Sequence, residues 1–366
     1  MTKENGESQT FEVNNKINTV TARCSNCGGG MAFSPTHQAL KCEHCDTIVD
    51  IATSKDVMEL AIENAFTSLE QWQSDEKVYR CESCGAEVIV TGKTHATTCP
   101  YCNAPHVVKT EDLAGLKPNA IYPFLLTEEQ ALDVATLWAK KKFFAPRKFK
   151  KNLRVENVKG VYQPCFTFDS QTISSYSGRV GKRHTRVVGS GKNRRTETYI
   201  VWRNISGTFT RSFDDIVVNT TSTYTQKTLD NLLPYDINTL VNFEQKLLTG
   251  YMAKRHEKDL PTSWSDAKNI MDEVLRKEIL GQYSYDVVSY LNVDTTHSSV
   301  TYKYVLLPVY ILNYNYRGKN YSIYVNGNTG KVTGKTPVSA LKVALTVLLG
   351  IIIIGGIAYL IYANGN

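Results

Sequence analysis

The sequence predicts an α+β chain with an antiparallel sheet, preceded by two small cysteine-rich modules and followed by one membrane-spanning helix. Three observations support this fold class. Eight of the nine cysteines form four C-x-x-C pairs within the first 102 residues. Between residues 110 and 336, alternating apolar residues typical of strands are interrupted by patterns with helical spacing. Finally, residues 343–363 form a run of 21 residues without a charged side chain.

The net charge of the chain comes from two short segments. The 366 residues carry 42 Lys and Arg against 35 Asp and Glu, a formal charge of +7. Residues 140–154 contribute eight of these cations and residues 179–195 contribute seven, and neither segment contains an acid. Without these 15 cations, the remaining 27 face 35 acids, a balance of −8. The protein is therefore acidic apart from two cationic segments, a pattern typical of an anionic partner or of solvated loops.

Composition and patterning divide the chain into six parts. With 42% hydrophobic residues it is neither collagen-like nor disordered in bulk, and its length allows a sizeable core. Apolar residues at helical spacing from Val57 to Trp72 predict a helix over about 55–73. We expect a disordered arm at 1–20, a first cysteine module at 21–50, a linker helix region at 51–77, a second module at 78–109, an α+β domain at 110–336 and a membrane helix at 341–363.

Inside the α+β domain, the first elements follow from a capping signal and from alternation. Thr127 and Gln130 form a capping-box pattern, which opens an amphipathic helix that ends near Phe144. Alternating apolar residues predict strands over about 155–225 and again over about 283–333. The last strands include a hairpin with a glycine-containing turn, so the sheet is expected to be antiparallel.

Two further helical patterns lie between these strand regions. They cover about 238–256 and 264–281. Ser263, followed three residues later by Asp266, is a second capping-box pattern and is expected to open the later helix.

The four C-x-x-C pairs form two modules of identical spacing. Each is C-x2-C-x14-C-x2-C, and the second repeats the first at an offset of 57 residues. Two residues between cysteines allow a tight knuckle that directs both sulfurs at one ion, and two knuckles complete a tetrahedral shell. Gly28 and Gly85 follow the first knuckle of each module and supply the open backbone of that turn. The eight predicted ligands are Cys24, Cys27, Cys42, Cys45, Cys81, Cys84, Cys99 and Cys102.

This ligand set predicts two structural Zn²⁺ ions. Zinc accepts four tetrahedral thiolates, and a shell of four cysteines leaves no open position for water or substrate. A module of this size has too small a core to fold alone, so metal binding would supply its folding energy. Iron bound as in rubredoxin is the alternative. His44 lies inside a knuckle but is expected to face solvent, and Cys165 is expected to be a buried free thiol.

The uncharged run at 343–363 has the length that crosses a bilayer. Lys331, Lys335 and Lys342 precede the run, and only Asn-Gly-Asn follows it. The positive-inside rule therefore keeps the N-terminal bulk in the cytoplasm and puts the C-terminus outside. The polar start of the chain lacks the apolar segment of a secretory signal, which agrees with reduced cysteines. The sequence predicts a single-pass, tail-anchored protein of the cell membrane.

Both cationic segments are candidate sites for an anionic surface. The first interleaves its cations with Phe143, Phe144 and Phe149, a mixture that suits single-stranded nucleic acid or an anionic leaflet. The second is expected to be a glycine-rich hairpin tip, for which nucleic acid, lipid headgroups and acidic protein stay open. A solvated face is the alternative for both, and the predicted anchor favours lipid over nucleic acid because it would bring both segments to the leaflet. The candidate residues are Lys140, Lys141, Lys142, Arg147, Lys148, Lys150, Lys151, Arg183, Arg186, Arg194 and Arg195.

Three of these features together resemble a known family. The paired cysteine ribbons, the hairpin LPVYILNYNYRGKNY…VNGNTGKVTG and the C-terminal anchor are similar to bacterial tail-anchored double zinc-ribbon membrane proteins. Such proteins are labelled TFIIB-type zinc ribbon-containing or primosomal replication-factor-like. The resemblance covers nearly the whole chain after residue 20. It implies an association with phage-shock-protein-A-like and SPFH-type proteins, and a membrane anchor that recruits cytosolic envelope-stress proteins.

The sequence thus predicts a membrane-anchored zinc-ribbon scaffold or adaptor that recruits cytosolic protein partners to the inner membrane face. The alternative is a membrane-tethered nucleic-acid-binding protein with a role in replication or transcription, which would use the ribbons and the cationic segments. The sequence contains no Walker A motif, no Ser/His/Asp arrangement and no RRM, helix-turn-helix or KH fingerprint. We therefore expect a binding protein and not an enzyme.

Overall fold

The computed structural model describes residues 23–65, 74–80, 87–90, 109–113, 116–151, 153 and 158–364. The predicted arm at 1–20 and the four cysteines of the second module lie outside these residues. In the described part of the chain, helices combine with two sheets whose strand pairs are mostly antiparallel. The predicted mixture of helices with antiparallel sheet is therefore confirmed at this level.

A small antiparallel sheet belongs to the first cysteine module. It consists of β1 (Met31–Ser34), β2 (Ala39–Cys42) and β3 (Ile48–Asp50), with β2 in the centre. Met31 and Phe33 alternate with more exposed neighbours along β1 and are both buried. One face of this sheet therefore packs on the rest of the protein.

The segment after the small sheet is less helical than the sequence predicts. It contains β4 (Leu60–Ala61) and α1 (Ile62–Ala65), so the helix expected from residue 55 begins only at Ile62. Before that point, Asn242 N–H donates to Ser54 O (2.8 Å) and Asn119 Nδ2 donates to Met58 O (2.9 Å). These long-range bonds occupy carbonyls that a helix would need, which explains the later start.

The larger sheet is built around three very long strands. The central strand β9 (Val158–Val188) lies between β10 (Arg195–Asn219) and β13 (Val287–Tyr316) and is antiparallel to both. The short strands β8 (Ala120–Ile121) and β12 (Met252–Lys254) pair in parallel with β13 and β9, respectively. A two-residue turn with positive φ at Arg317 and Gly318 closes the predicted hairpin of β13 and β14. The strands are β5 (Ser74–Arg80), β6 (Glu87–Val90), β7 (Lys109–Leu113), β8 (Ala120–Ile121), β9 (Val158–Val188), β10 (Arg195–Asn219), β11 (Val241–Asn242), β12 (Met252–Lys254), β13 (Val287–Tyr316), β14 (Lys319–Asn326) and β15 (Val332–Gly334).

The remaining helices are α2 (Glu128–Lys141), α3 (Arg147–Lys151), α4 (Gln226–Leu232), α5 (Leu260–Gly281) and α6 (Ala340–Asn364). The capping box of α2 is confirmed, because Thr127 and Gln130 bond to each other's backbone N–H groups. The later helix is confirmed with an earlier start. Its cap is Asp259, whose carboxylate accepts the N–H of Thr262 (2.9 Å), and not Ser263.

The helix predicted at 238–256 is wrong. The structure has 3-10 turns at Ile237–Thr239 and Gln245–Leu248 together with the short strands β11 and β12. The backbone of this region pairs with β8, β6 and β9 instead of with itself. Buried apolar residues such as Leu247 and Leu248 have the spacing of a helix but reach the core from a 3-10 turn.

Three strands extend past the other strands as an arm. From Ser170 to Val180, alternate residues of β9 are buried and exposed, because α5 packs on one face only. The 22 residues of α5 are about 33 Å long, and eleven strand residues are about 36 Å long, so the helix matches this stretch. Beyond the pair of Gly181 and Trp202 only β9 and β10 continue, and we call the hairpin that this pair closes, residues 181–202, the arm tip.

Candidate metal centre and binding surfaces

The first cysteine module brings its four predicted ligands together. One C-x-x-C pair precedes β1 and the other begins at Cys42, the last residue of β2, so the two knuckles lie side by side at one end of the small sheet. Gly28 has a φ of +71°, and its N–H donates to Cys24 O (2.8 Å), which closes the first knuckle. The open backbone predicted at Gly28 is therefore confirmed.

The sulfur positions fit a single metal ion. The four Sγ atoms all lie within 4.8 Å of one another. Cys24 Sγ is 3.4 Å from Cys45 Sγ, and Cys27 Sγ is 3.5 Å from Cys42 Sγ. Sulfurs placed about 2.3 Å from the centre of a tetrahedron stand about 3.8 Å apart. His44 is exposed and is not among these ligands, as expected.

Hydrogen bonds favour the thiolate form at part of this cluster. The backbone N–H of Cys27 is the main cause of the lowered pKa of Cys24. The hydroxyl and N–H of Thr47 lower the pKa of Cys45 to about 6. The Gly29 N–H favours a Cys27 thiolate, but the neighbouring sulfurs, that of Cys45 first, raise the pKa of Cys27 to about 12. Four thiolates this close need a cation between them, and a divalent metal supplies that charge.

The metal module is part of the protein core. Phe33 N–H donates to Thr249 O (2.9 Å), and Gln38 Nε2 donates to Phe124 O (2.8 Å). The Phe33 ring meets Tyr251 edge-on, with 6.4 Å between ring centroids. Buried side chains of the small sheet and of the large domain thus form one hydrophobic cluster. Cys24 and Cys42 belong to this cluster, so the candidate metal site and the domain packing share residues.

The remaining cysteine predictions have different outcomes. The four cysteines of the second module, Cys81, Cys84, Cys99 and Cys102, lie outside the described residues. Cys165 is a fully buried free thiol, as predicted, and burial raises its pKa.

The first cationic segment lies at the end of α2 and in α3. Of its three phenylalanines, Phe149 is buried against Tyr314, with 5.1 Å between ring centroids, whereas Phe143 and Phe144 are exposed. The sequence left open whether these phenylalanines belong to the core or to the surface, and the structure has one in the core and two on the surface. Around them, Lys140, Lys141, Lys142, Arg147 and Lys148 are exposed, Lys150 Nζ donates to Lys140 O (2.9 Å), and Lys151 ends α3.

The second cationic segment runs from the end of the arm into the arm tip. Arg186 and Arg195 share one partner, Glu197, at 3.3 and 2.8 Å. Within the described part of the chain, Arg183 and Arg194 form no ion pair. Residues 158–180 of β9, at most about 75 Å of strand, separate this tip from the first segment. The two segments therefore do not form one surface, and only the first lies beside α6.

Exposed apolar side chains accompany the cations of the arm tip. Tyr199, Ile200, Val201 and Trp202 are 37–50% exposed. A Cβ on Gly181 would stand 2.5 Å from Ile200 and 2.9 Å from Trp202, so the glycine allows both side chains to lie across the strand. The Arg179 guanidinium lies 5.4 Å from the Trp202 ring centroid, and Arg186 lies 5.5 Å from that of Tyr199. The tip is a mixed apolar and cationic surface.

Sequence reasoning missed a buried ion cluster around Lys303. Its Nζ lies 2.8 Å from Asp215, 2.9 Å from Glu59 and 3.7 Å from Asp169. Burial alone would lower the pKa of Lys303, but hydrogen bonds to Asp215 and Glu59 raise it. Burial raises the pKa of Asp169. The cluster joins the segment after the metal module to three strands, so we assign it a structural role.

One feature of the sequence could have indicated the Lys303 cluster. Lys303 is a charged residue inside the otherwise apolar strand YKYVLLPVYIL, and a cation in a buried strand requires acidic partners. Its partners come from three distant segments of the chain, so their identity could not be predicted from spacing.

Comparisons with known proteins give one relative. The chain is similar to the uncharacterized protein YdjG of Bacillus subtilis (strain 168), with 28% identity over 333 residues, 89% of this chain and 92% of that protein. No protein-family model matches the chain. No solved structure gives a significant match.

Proposed function

We propose that this protein is a membrane-anchored, zinc-stabilised adaptor that binds a cytosolic protein partner through its arm tip. The observation that carries the proposal is the arm itself: three long strands backed by α5 hold an exposed apolar and cationic surface far from α6. Aromatic and arginine side chains are the residues enriched in the centres of protein interfaces.

The anchor of this proposal is α6. Its residues Ala340–Ile357 have a mean hydropathy of 2.4, and none of this stretch is buried in the protein. A helix of this length and composition is able to cross a membrane, because it satisfies its own backbone hydrogen bonds. The lysines before the helix support a cytoplasmic N-terminal bulk and an external C-terminus.

Zinc is the metal that we propose for the four-cysteine cluster, and a second ion for the second module. The donor set is all thiolate, and the shell has no place for a substrate, which supports a structural role and a non-catalytic protein. The metal would fix the two knuckles, and the knuckles would fix the face of the small sheet that packs on the core. Iron remains the alternative to be tested by metal analysis.

The family resemblance supplies the first partners to test, namely phage-shock-protein-A-like and SPFH-type proteins of the same bacterium. Full-length chain in detergent is titrated with each purified candidate, and the dissociation constant is measured. Replacing an aromatic anchor in an interface costs about 2 kcal/mol or more, roughly 30-fold in affinity. Trp202→Ser combined with Ile200→Ser should therefore weaken binding by this amount.

A matched control keeps this experiment specific. Ile237 is 55% exposed but lies outside the arm, so Ile237→Ser should leave the affinity unchanged. Equal affinities for the arm-tip double variant and the unmodified chain would refute the arm tip as the binding surface. If Ile48→Ser, at a residue of the small sheet that is 46% exposed, abolishes binding and the arm-tip variant does not, the cysteine module is the binding surface instead.

Nucleic acid is the second candidate function, and the unpaired Arg183 and Arg194 are the observation that favours it. Their guanidinium groups are available for phosphate. Binding through phosphates falls steeply with salt, with a slope set by the number of contacts. Arg194→Ala with Arg195→Ala should flatten that slope. Absence of binding by the full-length chain at low salt would remove this candidate.

A further inference from the structure

The connection between α2 and α3 is attached to the first turn of α6. Ser339 N–H donates to Phe144 O (2.9 Å). Lys342 Nζ donates to Phe143 O and to Ala145 O, both at 2.8 Å. Three hydrogen bonds thus fix this connection at the point where the apolar helix begins.

Apolar side chains at this attachment point outward instead of into the core. Phe143 is 67% exposed and Phe144 is 41% exposed, with their rings edge-to-face at 5.2 Å. Val338 and Leu341, on either side of the α6 start, are 64% and 71% exposed. The exposed surface of α6 and that of the connection therefore lie next to each other. Phe149, five residues after Phe144, is fully buried, so the exposure of the pair is not a general property of this segment.

Exposed cations border the two phenylalanines. Lys140, Lys141 and Lys142 lie before them, and Arg147 and Lys148 lie after them. The sequence from 140 to 154 contains no acid that could neutralise them locally. Lys142 also lies 4.5 Å from the Trp138 ring centroid, which keeps an amphipathic indole at the same site. An apolar tip inside a cationic border is the pattern of a segment that lies in a membrane interface.

We propose that the α2–α3 connection together with the adjoining helix ends, residues 137–148, is a membrane-interface wedge that binds acidic phospholipids. Phe143 and Phe144 lie at the boundary between headgroups and acyl chains, and the surrounding lysines contact anionic headgroups. The inference rests on the proposed function, since it requires α6 to cross the bilayer. We assign lipid as the ligand of this surface, because the wedge is hydrogen-bonded to the first turn of α6 and its apolar surface continues that of α6. Each cation beside an anionic leaflet contributes to this attraction.

The wedge gives the anchor a second contact with the bilayer. A single helix can rotate about its axis and tilt, so it does not orient the attached domain. Two phenylalanines fixed beside the helix, on the side of Lys342, restrict both motions. The consequence is a defined orientation of the domain relative to the membrane plane.

Tryptophan probes in the full-length chain, reconstituted in vesicles with lipids brominated near the headgroup, test the wedge. The fluorescence added by Phe143→Trp should be largely quenched. Ile173→Trp, at an apolar position of the arm that is 54% exposed, is the matched control and should stay unquenched. Ile353→Trp, in the middle of α6, reports insertion of the anchor with acyl-chain-brominated lipid.

The outcomes separate the two proposals. If Ile353→Trp is not quenched, the membrane anchor fails and the wedge fails with it. If Ile353→Trp is quenched but Phe143→Trp is not, the anchor stands and the wedge is refuted. For the headgroups, brominated phosphatidylserine should quench Phe143→Trp more strongly than brominated phosphatidylcholine, and Lys140→Gln with Lys141→Gln should remove the difference. Equal quenching by both lipids in the original background refutes the recognition of acidic lipid.

Discussion

Loss of the metal from the first module is expected to destabilise the whole domain and not only the small sheet. Cys27→Ser is the suitable perturbation, because Cys27 is the exposed ligand and its replacement changes no packing. Without the metal the small sheet would leave the core and expose Met31, Phe33 and Leu40, all now at most 7% exposed. Each side chain of this kind contributes about 1.5–3 kcal/mol when buried, so about 5–9 kcal/mol is lost. That is comparable with the entire stability of a typical domain.

Urea unfolding of the full-length chain in detergent measures this effect. Trp138 and Trp264 pack against two different hydrophobic clusters and report both parts of the domain by fluorescence. With an unfolding slope of about 3 kcal/mol per M, the midpoint should fall by about 2 M or more. Asn26→Ser, an exposed change within the same knuckle, should leave the midpoint unchanged. A Cys27→Ser chain that has lost metal but keeps the original midpoint would refute the shared core.

Three further predictions concern stability and use the same assay. Lys303→Met should cost about 1–3 kcal/mol, because it leaves the partly buried carboxylates of Asp169 and Asp215 without their cation. Adding Asp169→Asn should recover part of the loss, and no recovery would contradict the proposed pairing. The pKa of His256 is lowered to about 4 in the folded protein, mainly by burial, whereas a histidine of the unfolded chain has a pKa near 6.5. Between these two values the unfolded state binds more protons than the folded state. The free energy of unfolding should therefore fall by about 2 kcal/mol from pH 7 to pH 5. His256→Gln should flatten this dependence, and an unchanged slope would exclude His256 as its source. Asp259→Ala should lower the free energy of unfolding by about 1 kcal/mol, because α5 loses its N-terminal cap, whereas Asp259→Asn should leave it nearly unchanged. Equal losses in both variants would assign the stabilisation to the charge of Asp259 and not to capping.

Local chemistry in the sequence predicted the features that depend on neighbours along the chain. The spacing of Cys24, Cys27, Cys42 and Cys45 was sufficient to predict the four-cysteine cluster, because two knuckles joined by a short hairpin bring their sulfurs to one end of that hairpin. The capping box at Thr127 and the uncharged run of α6 are equally local.

Features that depend on distant segments were missed or misplaced. The strands predicted over about 155–225 include the stretch SQTISSYSGRV, but its small polar residues did not indicate that it continues one long strand, β9, because β10 and β13 pair with both of its edges. Similarly, Leu247 and Leu248 suggested a helix because spacing does not reveal that β8, β6 and β9 would capture the neighbouring backbone. Tertiary pairing overrode the local pattern in both cases.

The length of the arm has a consequence for how its charge acts. At physiological ionic strength the screening length is about 8 Å, whereas residues 158–180 of β9 separate the arm tip from the start of α6 by up to about 75 Å. Where the arm points away from the bilayer, the electrostatic potential of the leaflet is fully screened at the arm tip. The arginines of the tip therefore do not interact with the membrane that anchors the chain. The two cationic segments then act on separate partners. A partner with an acidic surface would be attracted from solution, with an association rate that salt slows, while the contacts beside α6 stay undisturbed.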